Sequence, residues 1–219
     1  MNGTIFDKAV PASVENLPLV DQHGRVVSLA SLRGHTVVLA DFLTLCQEIC
    51  PLTSANLHRV VEHIAAAGQT STIAVVEATV DPARDTPARL AAYQALYGAA
   101  ANWELLTGTP QQVATLWQTL GVSYQKVPED PGPPPIDWWT GQPLHYDVNH
   151  QDVVFVIAPN GHEVWVTDGT PNTQGTKPPS KLLIFMSDTG HSNLAHPANP
   201  SWTASDVEAA LSYFVGSKI

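Results

Sequence analysis

The only two cysteines of this 219-residue chain, Cys46 and Cys50, lie four residues apart directly after the apolar segment 36–43. Such a segment predicts a buried strand, and Pro51 is typical of the first turn of a helix. The cysteines therefore lie at a predicted strand-to-helix junction. Two thiols in one turn at such a junction indicate either a redox pair or a site for a soft metal ion.

The spacing of the cysteines is compatible with two local geometries. If the segment is helical, residues i and i+4 share a face and their Cα atoms are ~6 Å apart, which a disulfide allows. If Pro51 occupies the first helical position, Cys50 is the cap and Cys46 lies in the preceding loop. In both cases the thiols lie near a helix N-terminus, which favours the thiolate form. A buried structural pair or a static disulfide is the plainer alternative.

Composition limits the class of protein. The chain is 44% hydrophobic and 14% charged, which suits a single globular domain spanning residues 1–219. Its net charge of −10 argues against nucleic-acid binding. No apolar run approaches the ~20 residues needed to cross a bilayer, and no basic-then-apolar leader is present. We expect a soluble chain from which a leader or anchor could have been removed.

Hydrophobic periodicity predicts a mixed α/β sandwich. Apolar strands at 37–42 and 73–80 flank a helix over 51–67, an order that gives a right-handed crossover between parallel neighbours. The remaining predicted elements are a hairpin at 17–29, helices at 87–96, 110–120 and 204–214, and a hairpin formed by 153–157 and 163–166. Two stretches rich in Pro, Gly, Ser or Asn are predicted to be loop insertions, at about 126–146 and 168–201.

Four segments of this sequence resemble the Sco/SenC family of thioredoxin-like copper proteins. CQEICP at 46–51 matches the family's CxxxCP motif, and VDPARDTP at 80–87 is close to VDPxRDTP. Segment 21–34 is similar to the family's opening hairpin, and VNH at 148–150 leads into a strand, where the family places a third copper ligand. The resemblance implies a thioredoxin-like sandwich, with a central mixed sheet, helices on both faces and an N-terminal hairpin.

The resemblance further implies that Cys46, Cys50 and His150 bind a copper ion. Two thiolates and one imidazole form a soft ligand set, which suits Cu(I) and is also compatible with Cu(II). His145, five residues earlier, is the nearest rival. We predict His150, because it alone stands directly before the strand.

Two functions of different classes follow. The first is a metallochaperone that delivers copper to the cytochrome c oxidase subunit that builds a dinuclear copper centre. Family membership then implies an extracytoplasmic location, anchored or secreted in the full-length form, and a thioredoxin-like reductant as a second partner. The second is a thiol-disulfide oxidoreductase, in which Cys46 attacks a partner disulfide and Cys50 resolves the intermediate. Nothing in Gln47, Glu48 or Ile49 supplies a positive charge to lower a thiol pKa.

Some residues near the motifs have structural interpretations. Gln47 replaces the proline that usually follows the first cysteine in the family. Asp81 and Asp85 are expected to end a strand and to cap the next helix, although a role beside the metal site stays open for Asp81. The pair Trp138 and Trp139 is either an exposed docking surface or part of the core.

Overall fold

An eight-stranded mixed sheet forms the centre of the computed structural model, which describes residues 1–98, 100–216 and 219. The strands are β1 (Thr4–Ala9), β2 (Leu19–Asp21), β3 (Val26–Val27), β4 (Thr36–Phe42), β5 (Ile73–Thr79), β6 (Trp103–Thr107), β7 (Tyr124–Val127), β8 (Asp147–His150), β9 (Val153–Ile157), β10 (His162–Asp168), β11 (Thr170–Pro171) and β12 (Ser201–Trp202). The helices are α1 (Ala12–Glu15), α2 (Cys50–Ala66), α3 (Pro87–Tyr97), α4 (Pro110–Leu120), α5 (Ser180–Phe185), α6 (Asp188–Ala195) and α7 (Ala204–Val215), with a 3₁₀ turn at Leu29–Leu32.

The central sheet has the order β1-β10-β9-β4-β5-β6-β2-β3. β4, β5 and β6 are parallel neighbours, whereas β9 pairs with β4 antiparallel. Every residue of β4 and of β5 is buried, so layers of side chains cover both faces at the middle of the sheet. β7 pairs with β8, and β11 with β12, in two separate two-stranded ribbons.

The predicted α/β architecture is confirmed, and most of the predicted elements lie within a few residues of their expected bounds. The predicted parallel pairing of β4 with β5 is present, with Val38 opposite Val75. Thr86 caps α3 by accepting a hydrogen bond from Arg89 N–H, and Pro87 follows it as the first helical residue. Among the described residues, no helix has the length and apolar character needed to cross a membrane.

The structure differs from the sequence prediction in the stretch 168–201, which is not loop throughout. It contains the short helices α5 and α6 and the ribbon strands β11 and β12. Ser187 caps α6 by accepting a hydrogen bond from Gly190 N–H at 3.1 Å. Part of the Pro and Ser content that suggested a loop marks the starts of these short helices, where Pro179 and Ser187 are the caps. The strands β1 and β6 and the ribbon β7–β8 were also not predicted.

Candidate metal centre

The two thiols lie on either side of the start of α2. Cys50 is the first residue of this helix and is completely buried, while Cys46 lies in the loop that joins β4 to α2 and is 7% exposed. The structure is therefore close to the second of the two predicted geometries, with Cys50 at the first helical position and Ile49 as the cap. The backbone N–H of Cys50, which has no partner within the helix, donates to Cys46 Sγ at 3.4 Å.

His150 approaches the thiols from the end of β8. The strand β8 pairs with β7, where His150 lies opposite Tyr124, and this pairing fixes the backbone of the residue. The Nε2 atom of His150 lies 3.1 Å from Cys50 Sγ. The donor atoms of Cys46, Cys50 and His150 all lie within 4.8 Å of one another. The structure thus gathers the three predicted side chains into one group, and the exposed His145 is not a member of it.

Asp41 orients the imidazole and was not predicted from the sequence. This completely buried residue of β4 places Oδ2 at 2.5 Å from His150 Nδ1, and its Oδ1 accepts the backbone N–H of Val153 at 2.8 Å. The carbonyl of Gln151 lies 2.6 Å from the same Nδ1. Two acceptors at Nδ1 favour a proton on that nitrogen and orient the ring so that Nε2 faces the thiols. The available signal was an aspartate between apolar residues of a strand that is buried throughout.

The pKa values of the two thiols are shifted in opposite directions. A hydrogen bond from Cys50, assisted by His150, lowers the pKa of Cys46 well below its usual value in spite of burial. Burial, followed by the nearby Cys46 sulfur, raises the pKa of Cys50 well above its usual value. For His150, burial opposes the charged form, but Asp41 and Cys46 outweigh it and raise the pKa. Cys46 is thus the stronger acid of the two, and the raised pKa favours the thiol form of Cys50.

The loop that carries Cys46 is fixed by three other segments of the chain. The Asp85 carboxylate accepts hydrogen bonds from both the backbone N–H and the hydroxyl of Thr44. Trp138 donates its indole N–H to the carbonyl of Thr44 at 2.7 Å, and Ser187 donates its backbone N–H to the carbonyl of Gln47 at 3.0 Å. The two anchored residues bracket Cys46, so the position of this thiol depends on contacts far away in sequence.

The 80–87 motif has structural roles, but the expected helix cap at Asp85 is wrong. Thr86 caps α3, whereas the Asp85 carboxylate accepts hydrogen bonds from Thr44 and Thr79. Asp81 forms an ion pair with Arg84, and Arg84 donates to the carbonyl of Tyr146 at 2.7 Å, four residues before His150. Tyr146 returns a hydrogen bond from its hydroxyl to Asp81 at 3.0 Å. The motif therefore connects the segment that leads into β8 to the end of β5.

Of the two tryptophans in the proline-rich stretch, Trp138 is part of the core and Trp139 is exposed. Trp138 is 8% exposed and packs 6.0 Å, between ring centroids, from Tyr93. Trp139 is 41% exposed, with the Arg89 guanidinium 5.0 Å from its ring centroid. Arg89 also forms a two-point ion pair with Asp137, at 2.9 and 2.6 Å, which fixes this stretch against α3.

A thioredoxin-like fold with two thiols and an imidazole gathered at a helix N-terminus defines a class of protein suited to thiol redox chemistry or to a soft metal ion. Comparison with known proteins specifies the family. The SCO1/SenC family matches residues 10–176, and this chain belongs to that family.

Two relatives illustrate the similarity. A protein of Stutzerimonas stutzeri assigned as copper-binding is 30% identical over 155 residues, covering 71% of this chain and 67% of the relative. A mitochondrial SCO2 homologue of Bos taurus is 31% identical over 148 residues, covering 65% of this chain. The match spans about half (49%) of the bovine protein.

Solved structures share the fold. The Bradyrhizobium japonicum ScoI structure with copper bound has a TM-score of 0.56 and 21% identity, covering 85% of this chain and 100% of that one. BsSco, described with a disulfide switch and as a member of the Sco family of cytochrome c oxidase assembly proteins, has a TM-score of 0.54 and 22% identity, covering 76% and 85%.

Proposed function

We propose that this protein binds one copper ion through Cys46, Cys50 and His150 and delivers it to the cytochrome c oxidase subunit that builds a dinuclear copper centre. The observation that carries the proposal is the grouping of three soft donor atoms within 4.8 Å of one another. The copper-bound relative and the family's connection with oxidase assembly support the identity of the metal and of the recipient.

The donor set favours Cu(I) as the bound form. Thiolate sulfur is a soft ligand, and imidazole is also used by copper sites. The lowered pKa of Cys46 favours its thiolate, whereas Cys50 and His150, whose pKa values are raised, have to release protons when the metal binds. A neutral His150 with its proton on Nδ1, toward Asp41, presents Nε2 to the ion.

Delivery proceeds by ligand exchange, in which a recipient thiolate replaces one protein ligand at a time and the ion is never free. The site accepts copper only when both sulfurs are reduced. A thioredoxin-like dithiol would reduce a Cys46–Cys50 disulfide with two electrons and two protons and become the disulfide itself. Family membership supports an extracytoplasmic location, anchored or secreted in the full-length form.

An anaerobic Cu(I) titration of the reduced protein against a chromophoric chelator tests the proposal. We expect one equivalent to bind tightly, with a large loss of affinity for His150→Ala and none for His145→Ala. The second variant is a matched control, because His145 is exposed and lies five residues away. Absence of competitive Cu(I) binding by the wild-type protein would contradict the proposal.

The second candidate function is thiol-disulfide exchange, which the contact between the two cysteines favours. Cys46, as a thiolate that accepts the Cys50 N–H, is able to attack a partner disulfide, and Cys50 lies close enough to resolve the mixed disulfide. The Cys50→Ser variant would trap that intermediate. Accumulation of a covalent Cys46 adduct, together with no Cu(I) binding by the wild-type protein, would favour this function.

A further inference from the structure

An apolar groove lies beside the loop that carries Cys46. The stretch before Trp138 forms one wall and α5 forms the other, enclosing a volume of about 470 Å³. Its lining is mainly apolar and also contains three polar or charged residues: Pro135, Ile136, Trp138, Ile184 and Phe185, together with Gln47, Asp137 and Lys181. Gln47 follows Cys46 directly, so the groove borders the loop that carries this thiol.

Both walls of the groove are attached to the cysteine loop. Trp138 donates to the carbonyl of Thr44, and Ser187, two residues after α5, donates to the carbonyl of Gln47. The same loop therefore contacts both walls of the groove and carries Cys46. Since α5 and α6 lie beyond residue 176, one wall is formed by a segment outside the range that matches the family.

The groove exposes large apolar side chains to water. Ile184 is 87% exposed and Ile136 is 53% exposed, and Trp139, at 41%, belongs to the same proline-rich stretch. Exposed apolar residues that cluster around a depression mark interaction sites more often than isolated ones do. Burial of these side chains by another protein would contribute favourable free energy to association.

A group of carboxylates lies beside the same cysteine and indicates the charge of the partner. Glu48, which is exposed, interacts electrostatically with Cys46, Asp130 and Asp147. In the described part of the chain, the carboxylates of Glu48, Asp130 and Asp147 form no ion pair. Arg84 and His150 act on Asp147 electrostatically without forming an ion pair with it. A basic partner would add countercharge for these carboxylates and would be steered toward the site of a chain whose net charge is −10.

We infer that the groove between Ile136 and Ile184 is the docking site for the protein that receives copper, and that it takes an apolar side chain carried on a basic segment. The inference rests on the proposed function, because it assigns a docking surface to the same transfer. Docking here would bring the incoming ligands within reach of Cys46, and the carboxylates would hold the basic residues beside it.

The test compares two exposed isoleucines. Ile184→Asp places a charge in the groove, and Ile5→Asp makes the same change on β1, where Ile5 is 50% exposed. The probe is the apo copper-binding domain of the oxidase subunit from the same organism. We expect Ile184→Asp to weaken association about tenfold and to slow copper transfer about tenfold. Ile5→Asp should associate and transfer copper as the wild type does. Cu(I) affinity should be equal in all three proteins, and association should weaken as salt rises.

Each other outcome has a distinct meaning. Equal association of the Ile184→Asp variant and the wild type, with normal Cu(I) affinity, overturns the docking inference and leaves the copper proposal standing. A wild-type dimer that Ile184→Asp dissociates would show that a second copy of this chain occupies the groove, and it also overturns the inference. Failure of the wild-type protein to bind Cu(I) would overturn the proposed function and the inference with it.

Discussion

Nδ1 of His150 lies 2.5 Å from Oδ2 of Asp41, a buried carboxylate that also accepts the backbone N–H of Val153 through Oδ1. In Asp41→Asn the amide oxygen would remain with the Val153 N–H, and the amide nitrogen would then face His150. That arrangement favours a proton on Nε2, the atom needed for the metal. We expect Cu(I) affinity to fall about 10- to 100-fold, as measured by chelator competition. Unchanged affinity would show that the Gln151 carbonyl alone orients the ring.

Trp138 anchors the loop before Cys46 through a single indole N–H. Trp138→Phe keeps an aromatic ring but leaves the Thr44 carbonyl without this donor, which should cost about 1–3 kcal/mol of the free energy of unfolding. It should also weaken Cu(I) binding, because Cys46 loses a constraint. Trp139→Phe is the matched control: its ring is 41% exposed, and we expect a change within about 0.5 kcal/mol. Denaturant unfolding and Cu(I) titration of both variants check the expectation.

Gly190 tests the contact between α6 and the cysteine loop. A Cβ at this position would overlap the carbonyl oxygen of Gln47 and approach Met186, so Gly190→Ala should displace α6. Alanine favours helix, so the helix itself should not be weakened. We expect lower Cu(I) affinity and faster proteolysis within 177–200. Ser192→Ala, at an exposed position of the same helix, should behave as wild type. If Gly190→Ala is cleaved at the same rate as the wild type, the loop that carries Gln47 has moved to make room for the new Cβ, and α6 has kept its position.

The buried carboxyl of Glu77, which lies outside the proposed metal site, leads to a prediction for the pH dependence of stability. Burial raises the pKa of this carboxyl from 4.5 to about 7, although Ser54 and Trp103 donate to it. Between these values the unfolded chain releases a proton that the folded protein retains. The free energy of unfolding should therefore fall by a few kcal/mol as the pH rises from 4.5 to about 7.

Glu77→Gln should remove the part of this slope that comes from Glu77, because glutamine has no proton to retain and is able to keep hydrogen bonds to both neighbours. A slope of the same sign should remain, since burial also raises the pKa of Asp85 to about 6 and that of Asp152 to about 8. Glu62→Gln changes an exposed glutamate of α2 and should leave the slope in place. Urea unfolding of the reduced, metal-free proteins at several pH values measures it. An equal slope for wild type and Glu77→Gln would assign the dependence to other groups.

The sequence was sufficient for the architecture around the thiols. The apolar run of β4, the proline at position 51 and the spacing of the cysteines are local signals, and they predict a strand, a loop and a helix in the order observed. His150 was selected over His145 by the family pattern, and the structure places only His150 with the thiols. Its role as a copper ligand remains a prediction for the titration to test.

The sequence was less informative where a contact depends on the tertiary structure. Asp41 is one polar residue in a buried strand, and only the position of β8 reveals His150 as its partner. The helices α5 and α6 are short, and their stability depends on packing against the cysteine loop more than on intrinsic propensity. The strand β1 is largely exposed and lacks a clear alternation of apolar residues.

The contact between Ser187 and Gln47 joins a segment beyond residue 176 to the loop between the two cysteines. A fragment that ended at residue 176 would still contain Cys46, Cys50 and His150. It would lack the Ser187 donor, one wall of the groove, and Trp202, whose indole N–H reaches Asp152 two residues after the histidine. The segment that supplies the three donor side chains is therefore shorter than the segment needed to hold them in place.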